Sequence, residues 1–549
     1  MSKRMFLLLV GALALAIAGE LQLSDADAQK AAPAEKPVKV EQCYDCHSDI
    51  KGFHSSGKHA KVNCVSCHEK LGEHLKDVSN KPVTKTDLAT CGACHKEEYE
   101  SLVSVDIDSK AKVEKATFKS RSPLFDKLLT PHGFTKEHDE PRSHVFMLMD
   151  HLIVDRAYGG RFQLKDWTKI GDAKDAEKNL WSILVDKEPS SSDQKIFAPQ
   201  TAAAANPVCF QCKTQDHILQ WKYMGEKDPR AKWDRTSKVV DLARSVSHPM
   251  NCFMCHDPHS TQPRVVRDAL IQAVVDRGEG TYPYDKEKSK KTTLKKVMFR
   301  EDFRAIGIMN RPDSNVMCAQ CHVEYTCNPG VNTETGKPVG MDAQVTNFFS
   351  WVNVFDYNKK MADQKFKDFK HATTGAALSK LQHPDTESFW GSKHEKAGVE
   401  CKDCHMPRVK KGAKAYTWHG QKSARYMLKD TCVKCHPYWN EKEAEYQVDA
   451  VQNYIRGKMT KAEFWLGQFI DTFAAAKSKG VPEETLVEAR KLHDTAHTYW
   501  EWWTAENSDG FHNPDAARES LARSIDASQK GIKLLNDAMA PKPAAVPAK

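Results

Sequence analysis

Sixteen of the chain's 17 cysteines stand in eight Cys-x-x-Cys pairs: Cys43 and Cys46, Cys64 and Cys67, Cys91 and Cys94, Cys209 and Cys212, Cys252 and Cys255, Cys318 and Cys321, Cys401 and Cys404, Cys432 and Cys435. Seven pairs are followed at once by histidine, namely His47, His68, His95, His256, His322, His405 and His436. Zinc ribbons also use such pairs, two for each metal, and exported proteins can close them as disulfides. Neither explains a histidine directly behind seven of eight. Covalent haem c does: the two thiols bond the porphyrin and the next histidine takes the proximal position on the iron. Eight covalently bound haems are therefore expected. The stretch from Cys43 to His95 alone carries three, too little chain to cover three macrocycles with a conventional core.

The eighth pair departs from the rule, because Cys209-Phe210-Gln211-Cys212 is followed by Lys213. An amine binds iron only when deprotonated, which the metal and burial must enforce. If no histidine closes the opposite face, this iron is open to a small molecule. The plainer alternative is a low-spin carrier with lysine and histidine as its two ligands.

The N-terminus reads as an export signal over residues 1–28. Lys3 and Arg4 precede the apolar run Met5 to Ala18, and Ala26-Asp27-Ala28 offers a small-x-small cleavage site. A mature start near Gln29 and a periplasmic location follow. The apolar run is shorter than the ~20 residues of a membrane helix, and no span is expected in the mature chain. The formal net charge of +8 is offset by the haem propionates, so nucleic acid is not an expected partner.

Along the chain we expect a flexible leader over 29–40, a three-haem electron-transfer module over 41–100 and a five-haem catalytic domain over 101–440. Long helices over 441–540 form part of that domain and can serve as an oligomer interface, and 541–549 is a disordered tail. Helical spacing of apolar residues predicts helices from Glu441 to Lys479, Pro482 to Glu506 and Pro514 to about Met539. Thr333 to Pro338 reads as a turn. The haem-free stretch from Glu97 to Pro207 is a natural source of residues for an open haem face. The fold class is mainly α: a multihaem cytochrome c with little β structure and a haem-packed core.

Two histidine placements repeat. His59 and His394 each stand shortly before a haem motif, and His74 and His419 each follow that motif ahead of the next pair. This marks all four as distal iron ligands. Just past His322 the chain reads Val323-Glu324-Tyr325-Thr326-Cys327, with the one unpaired cysteine two residues from a tyrosine. In an extended segment these side chains share a face, so a thioether is geometrically open, although a buried free thiol is the default reading. His383, in Lys380-Leu381-Gln382-His383, suits a proton donor. Glu324 and Gln382 could give oxygen ligands to a hard cation such as calcium.

One lysine motif followed by four histidine motifs, with Cys318-Ala-Gln-Cys-His-Val-Glu-Tyr325, Gln382-His-Pro-Asp and Cys401-Lys-Asp-Cys-His-Met-Pro407, resembles the ammonium-forming cytochrome c nitrite reductases. The three additional N-terminal haems are similar to those of the octahaem nitrite reductases, and Tyr325-Thr326-Cys327 resembles their Tyr-Cys cross-link. The resemblance spans about residues 40 to 515. It implies Lys213 as proximal ligand of the catalytic haem, with Arg156, Tyr325 and His383 forming its distal pocket and Cys327 bonded to Tyr325. Calcium would be held by Glu324, Gln382 and the carbonyls of Tyr325 and Lys380. His144, His394, His419 and His512 match the family's distal ligands, while His59 and His74 fit the extra module. A last ligand falls among His54, His132 and His138, with His132 selected.

The implied reaction is six-electron reduction of nitrite to ammonium, with hydroxylamine and sulfite as further substrates, an external cytochrome or quinol-linked donor and a homo-oligomer. Three rivals stand beside it. A hydroxylamine oxidoreductase uses a proximal histidine, which Lys213 argues against. The others are an octahaem sulfite or tetrathionate reductase and a non-catalytic electron conduit.

Overall fold

The computed structural model describes residues 35–104, 122–131, 143–147, 163–164, 184–185, 206–238, 241–242, 245–246 and 248–541. Arg156, His132 and His138 lie outside these residues, as do the expected signal and much of the haem-free stretch. The chain forms two compact units: the described part of Met1–Lys51 with Lys61–Lys85, and Gly52–Ala60 with Thr86–Lys549.

The first unit has short elements around two haem motifs. Asn63 caps the turn at Cys64–Ser66 by accepting from the Val65 amide, and His68–Glu69 pairs antiparallel with Val83–Thr84. Leu71 is its one buried apolar side chain among the described residues. Side chains alone do not make a core here.

The second unit begins its central region at α1 (Pro207–Phe210), where Asn206 accepts from the Val208 amide at 3.0 Å and proline takes the first helical position. Strands β1 (Arg264–Val265), β2 (Leu294–Phe299) and β3 (Arg304–Met309) form an antiparallel sheet in the order β1-β3-β2. All six residues of the central β3 are buried. Helix α2 (Asp268–Ile271) follows β1 almost directly. Helix α3 (Ser314–Cys318), capped by Asp313, delivers the next haem motif. Strand β4 (Tyr325–Thr326) then pairs with β5 (Phe348–Phe349), placing Tyr325 opposite Phe349. Short helices α4 (Asp385–Phe389) and α5 (Cys401–His405) complete this part. The turn expected at Thr333 joins a small hairpin in which Pro338 pairs with Val331.

Three long helices end the unit: α6 (Glu441–Ser478), α7 (Glu483–Ala505) and α8 (Pro514–Met539). Their limits agree with the apolar periodicity. A reciprocal capping box of Asn440 and Glu443 starts α6. Asn513 caps α8 ahead of Pro514. Ile455, Leu466, Phe469 and Phe473 of α6 share a core with Trp500, Trp502 and Trp503 of α7 and Leu521 and Leu535 of α8. Trp502 donates from its indole to Ser388 Oγ at 2.8 Å, and Asn513 donates to the Trp390 carbonyl at 3.1 Å. The helices are thereby fastened to the α4 region, where His383 stands. No described helix is long and apolar enough to cross a membrane.

Candidate active site and histidine pairs

Among the described residues eight pairs of histidine rings stand with centroids 6.1 to 6.5 Å apart. Besides His322 with His383 and His493 with His497, six of them are His47 with His74, His59 with His95, His144 with His322, His256 with His419, His394 with His436, and His405 with His512. Each of these six joins a histidine that directly follows a cysteine pair to one of the expected distal ligands. A metal bonded on both sides by imidazole nitrogens, at about 2 Å each, sets the ring centres about 6 Å apart. The spacing therefore fits axial coordination of a haem iron. The partnering is crossed. His59 and His394 each skip the nearest motif and meet the histidine of the one after, whereas His74 and His419 reach back to an earlier motif.

The thiols link the motifs in turn. In the second unit Cys91 neighbours Cys252, Cys255 neighbours Cys318, and Cys318 neighbours Cys401. Cys212 of the lysine motif neighbours Cys321, and Cys404 neighbours Cys432. Macrocycles attached at these thiols would form a connected series that branches at the Cys318 motif.

The lysine site is assembled from three parts of the sequence. Lys213 is buried and donates from Nζ to the Cys209 carbonyl at 3.1 Å. Asn206 caps α1 and also donates to the Cys327 carbonyl, which fixes the β4 segment against α1. The Cys327 thiol lies beside Cys209, whose hydrogen bond, together with burial, pushes Cys327 well up from the usual thiol range. The Tyr325 and His383 rings stack at 6.3 Å with an interplanar angle of 24°. Tyr325 and Cys327 are both buried. The structure thus brings Lys213, Tyr325, Cys327 and His383 into one region.

A family model described as cytochrome c552 matches residues 183–548, two thirds of the sequence. The chain belongs to the cytochrome c552 family. It is 25% identical over 471 residues to the cytochrome c nitrite reductase subunit NrfA of Nitratidesulfovibrio vulgaris, covering 80% of this chain and 74% of that protein. It is 28% identical over 419 residues to cytochrome c-552 of Haemophilus influenzae, covering 72% and 64%. Among solved structures it is similar in fold to the cytochrome c nitrite reductase catalytic subunit NrfA of Desulfovibrio desulfuricans, whose description concerns two calcium sites. That likeness has a TM-score of 0.56 at 20% identity and covers 82% of this chain and 86% of the other.

In this cytochrome c552 the lysine motif is backed by buried charge that the sequence did not announce. Arg267 donates to Asp268 at 3.1 Å and Asn347 at 3.0 Å, and its guanidinium lies 5.2 Å from the Phe349 ring centre and 6.0 Å from that of Tyr325. Asp268 also accepts from the Trp221 indole at 2.9 Å and has Arg304 at 3.7 Å. Arg267 Nε and Nη2, and Arg304 Nε and Nη1, are buried without a hydrogen-bond acceptor among the described residues. Arg304 Nη1 keeps its ion pair with Asp268, while Arg267 lies beside Cys212 and Cys321, and its guanidinium nitrogens suit a haem carboxylate. The residues fit covalent haem in both their ligand spacing and this charge. The sole hint in the sequence was Arg264-Val-Val-Arg267-Asp268, charges inside an apolar run that ordinarily mark a surface.

Glu324 is fully buried and accepts from the Gln382 amide at 2.7 Å, while the Gln382 side chain reaches the Lys380 carbonyl at 3.4 Å. Burial pushes the Glu324 carboxyl well above its ordinary range and the neighbouring Asp368 up to about 7. Lys380 Nζ pairs with Glu501 at 3.1 Å. Buried carboxylates with carbonyl oxygens close by make a donor set suited to calcium. Asp385 shows the opposite behaviour. Burial pushes its carboxyl up, but the hydrogen bond and charge of His322 outweigh that and hold it below the usual carboxylate range.

Proposed function

We propose that this chain reduces nitrite to ammonium at a haem attached through Cys209 and Cys212 and ligated by Lys213. The observation that carries the reading is the stacked pair Tyr325 and His383, in which Tyr325 stands two residues from the Cys327 thiol that lies beside Cys209 of that motif; an electron conduit has no use for such a pair. The family and the nitrite reductase names among its relatives support it. Eight haems are read from eight cysteine pairs, with His47, His68, His95, His256, His322, His405 and His436 as the other proximal ligands. His59, His74, His144, His394, His419 and His512 serve as distal ligands, and His132 is assigned to the remaining iron.

A haem held by Cys209, Cys212 and Lys213 would supply an iron able to bind nitrite and deliver electrons to it. The chain's own residues do the rest. Nitrite, six electrons and eight protons give ammonium and two waters, so the pocket must deliver protons as fast as charge arrives. His383 gives its proton to an oxygen leaving as water and is refilled from solvent. Arg156 pairs with the bound anion, and Tyr325 donates its hydroxyl hydrogen bond to it. A thioether from Cys327 to Tyr325 acidifies the phenol and fixes the ring. Glu324, Gln382 and the Tyr325 and Lys380 carbonyls would hold a calcium ion, which would order the segment that carries Tyr325 and the one that carries His383. Hydroxylamine and sulfite, small and able to bind through a lone pair, are expected as further substrates. The protein is exported to the periplasm, takes electrons from an external cytochrome or quinol-linked donor, and assembles through its long helices.

The test is ammonium production from nitrite by fully haem-loaded protein with reduced viologen. His383→Asn should lower turnover about a hundredfold or more with haem content unchanged. No ammonium from the parent, or full turnover in the variant, refutes the reading.

A further inference from the structure

Axial histidines hold their orientation through the ring nitrogen that does not meet the metal, and the partner of that nitrogen sets how strongly the imidazole donates to iron. In four of the paired histidines the partner is a backbone carbonyl. His59 Nδ1 meets the Pro258 carbonyl at 2.9 Å, His74 that of Asn80 at 2.9 Å, His405 that of Lys422 at 2.8 Å and His419 that of Thr417 at 2.7 Å. His322 differs. Its Nδ1 meets the carboxylate of Asp385, Oδ2, at 2.8 Å.

The same carboxylate is tied to the candidate active site. Asn507, just past α7, donates from its backbone amide to Asp385 Oδ1 at 2.8 Å and from its side-chain Nδ2 to Asp385 Oδ2 at 2.8 Å. The same Nδ2 lies 3.3 Å from His383 Nδ1. Because Asp385 can only accept, it fixes the Asn507 amide with its NH2 group facing both partners. His383 Nδ1 must then accept, which leaves the imidazole proton on Nε2, at the far side of the ring from Asn507.

We infer that Asp385 is a positioning residue for two groups at once: it strengthens the His322 axial ligand and, through Asn507, holds His383 in the tautomer that carries its proton on Nε2. Asp385 and Asn507 act through His322 and His383. Cys321 of the His322 motif neighbours Cys212 of the lysine motif, so the tuned haem is the one next to the site of reduction. A carboxylate partner gives imidazole partial imidazolate character, which favours the ferric iron and lowers that haem's potential relative to its carbonyl-partnered neighbours. One carboxylate thus couples the last electron donor to the proton donor. The His383 half rests on the nitrite reading; the His322 half does not.

The test uses the haem-loaded enzyme and two variants. In Asp385→Asn, potentiometric titration followed by the low-spin signals should show the His144/His322 haem at a more positive midpoint. The His256/His419 haem should stay in place, and Asp385→Glu should return the shifted midpoint toward the parent value. If the asparagine variant loses haem, Asp385→Ser must give the same upward shift. In Asn507→Leu, whose backbone amide still holds Asp385, the midpoint should move far less than in Asp385→Asn while kcat for nitrite falls about tenfold or more, with KM little changed. An unmoved midpoint in fully loaded Asp385→Asn overturns the inference, as does an unchanged kcat in Asn507→Leu. If the parent makes no ammonium, the nitrite reading fails, and the midpoint measurement still decides the role of Asp385 toward His322.

Discussion

The same substitution at two glycines of the long helices should change stability in opposite directions. Gly531 of α8 is buried against α6, and a Cβ built there would lie 2.1 Å from Phe469 Cζ and 2.4 and 2.6 Å from the two Cε atoms. An ordinary carbon contact is about 3.5 to 4.0 Å, so the ring edge must retreat by roughly 1.5 Å. It has nowhere to go. Phe469 is 1% exposed and its ring also packs on His493 at 5.9 Å. Overpacking of this kind costs about 1–3 kcal/mol, and the tightness argues for the upper part of that range. Replacing glycine by alanine inside a helix gains up to about 1 kcal/mol. Packing therefore wins at Gly531, with a net loss of about 1–2 kcal/mol. Gly457 of α6 is exposed and has nothing within 4 Å of its built Cβ, so Gly457→Ala keeps the propensity gain alone, about 0.5–1 kcal/mol. Urea titration of the haem-loaded protein, read by far-ultraviolet circular dichroism, should show a lower midpoint for Gly531→Ala and a higher one for Gly457→Ala. A neutral or stabilised Gly531→Ala would refute the close approach of α6 and α8. The loop joining α7 to α8 carries Asn507 and His512, so a strained α8 should also broaden the low-spin signal of the His405/His512 haem.

Other expectations follow from the same geometry. His419→Ala should convert the His256 haem, and no other, from low-spin to a form with an exchangeable sixth position, seen by magnetic circular dichroism; a change at the His405 haem instead would break the crossed assignment. If calcium fills the proposed site, its removal by chelation leaves Glu324 and Asp368 as buried carboxylates, both raised by burial, with Lys380 as the nearby cation. Thermal stability should fall and should return with calcium but not with magnesium, whose octahedral geometry the donor set does not suit. A Tyr325–Cys327 thioether forms with loss of two protons and two electrons to an external oxidant such as dioxygen, so the peptide spanning 323–328 should be lighter by two hydrogens than its sequence requires, and the deficit should vanish in Cys327→Ala.

Periodic and local features were legible in the sequence. The limits of α6, α7 and α8 could be read because apolar residues recur at helical spacing between Asn440, Pro482 and Pro514. His59, His74, His394 and His419 could be picked out as candidate ligands because the placement repeats. Arg267 and Asp385 could not. A charged residue is legible as buried only when its partners are known, and those of Arg267 lie at Asn347 and Phe349, those of Asp385 at His322 and Asn507. The same limit applied to the hairpin of β2 and β3: Lys295 and Lys296 interrupt the apolar pattern of an edge strand, while β3, buried throughout, lacks the alternation that marks a half-exposed strand. Convergence of Tyr325 with His383 was inferable only through resemblance, since nothing local to either residue names the other.

The crossed histidine pairs bear on how such a chain comes apart. With iron between them, His256 and His419, or His144 and His322, become the two ends of a closed loop more than a hundred residues long, and the thioethers make one end permanent. Closing loops of that length takes conformational freedom from the unfolded chain, much as a disulfide does. Because the loops interleave, part of each remains enclosed by another when it opens. The haem set should then act as a lattice of cross-links, and resistance to proteolysis should be lost in a single step when ligation fails rather than segment by segment.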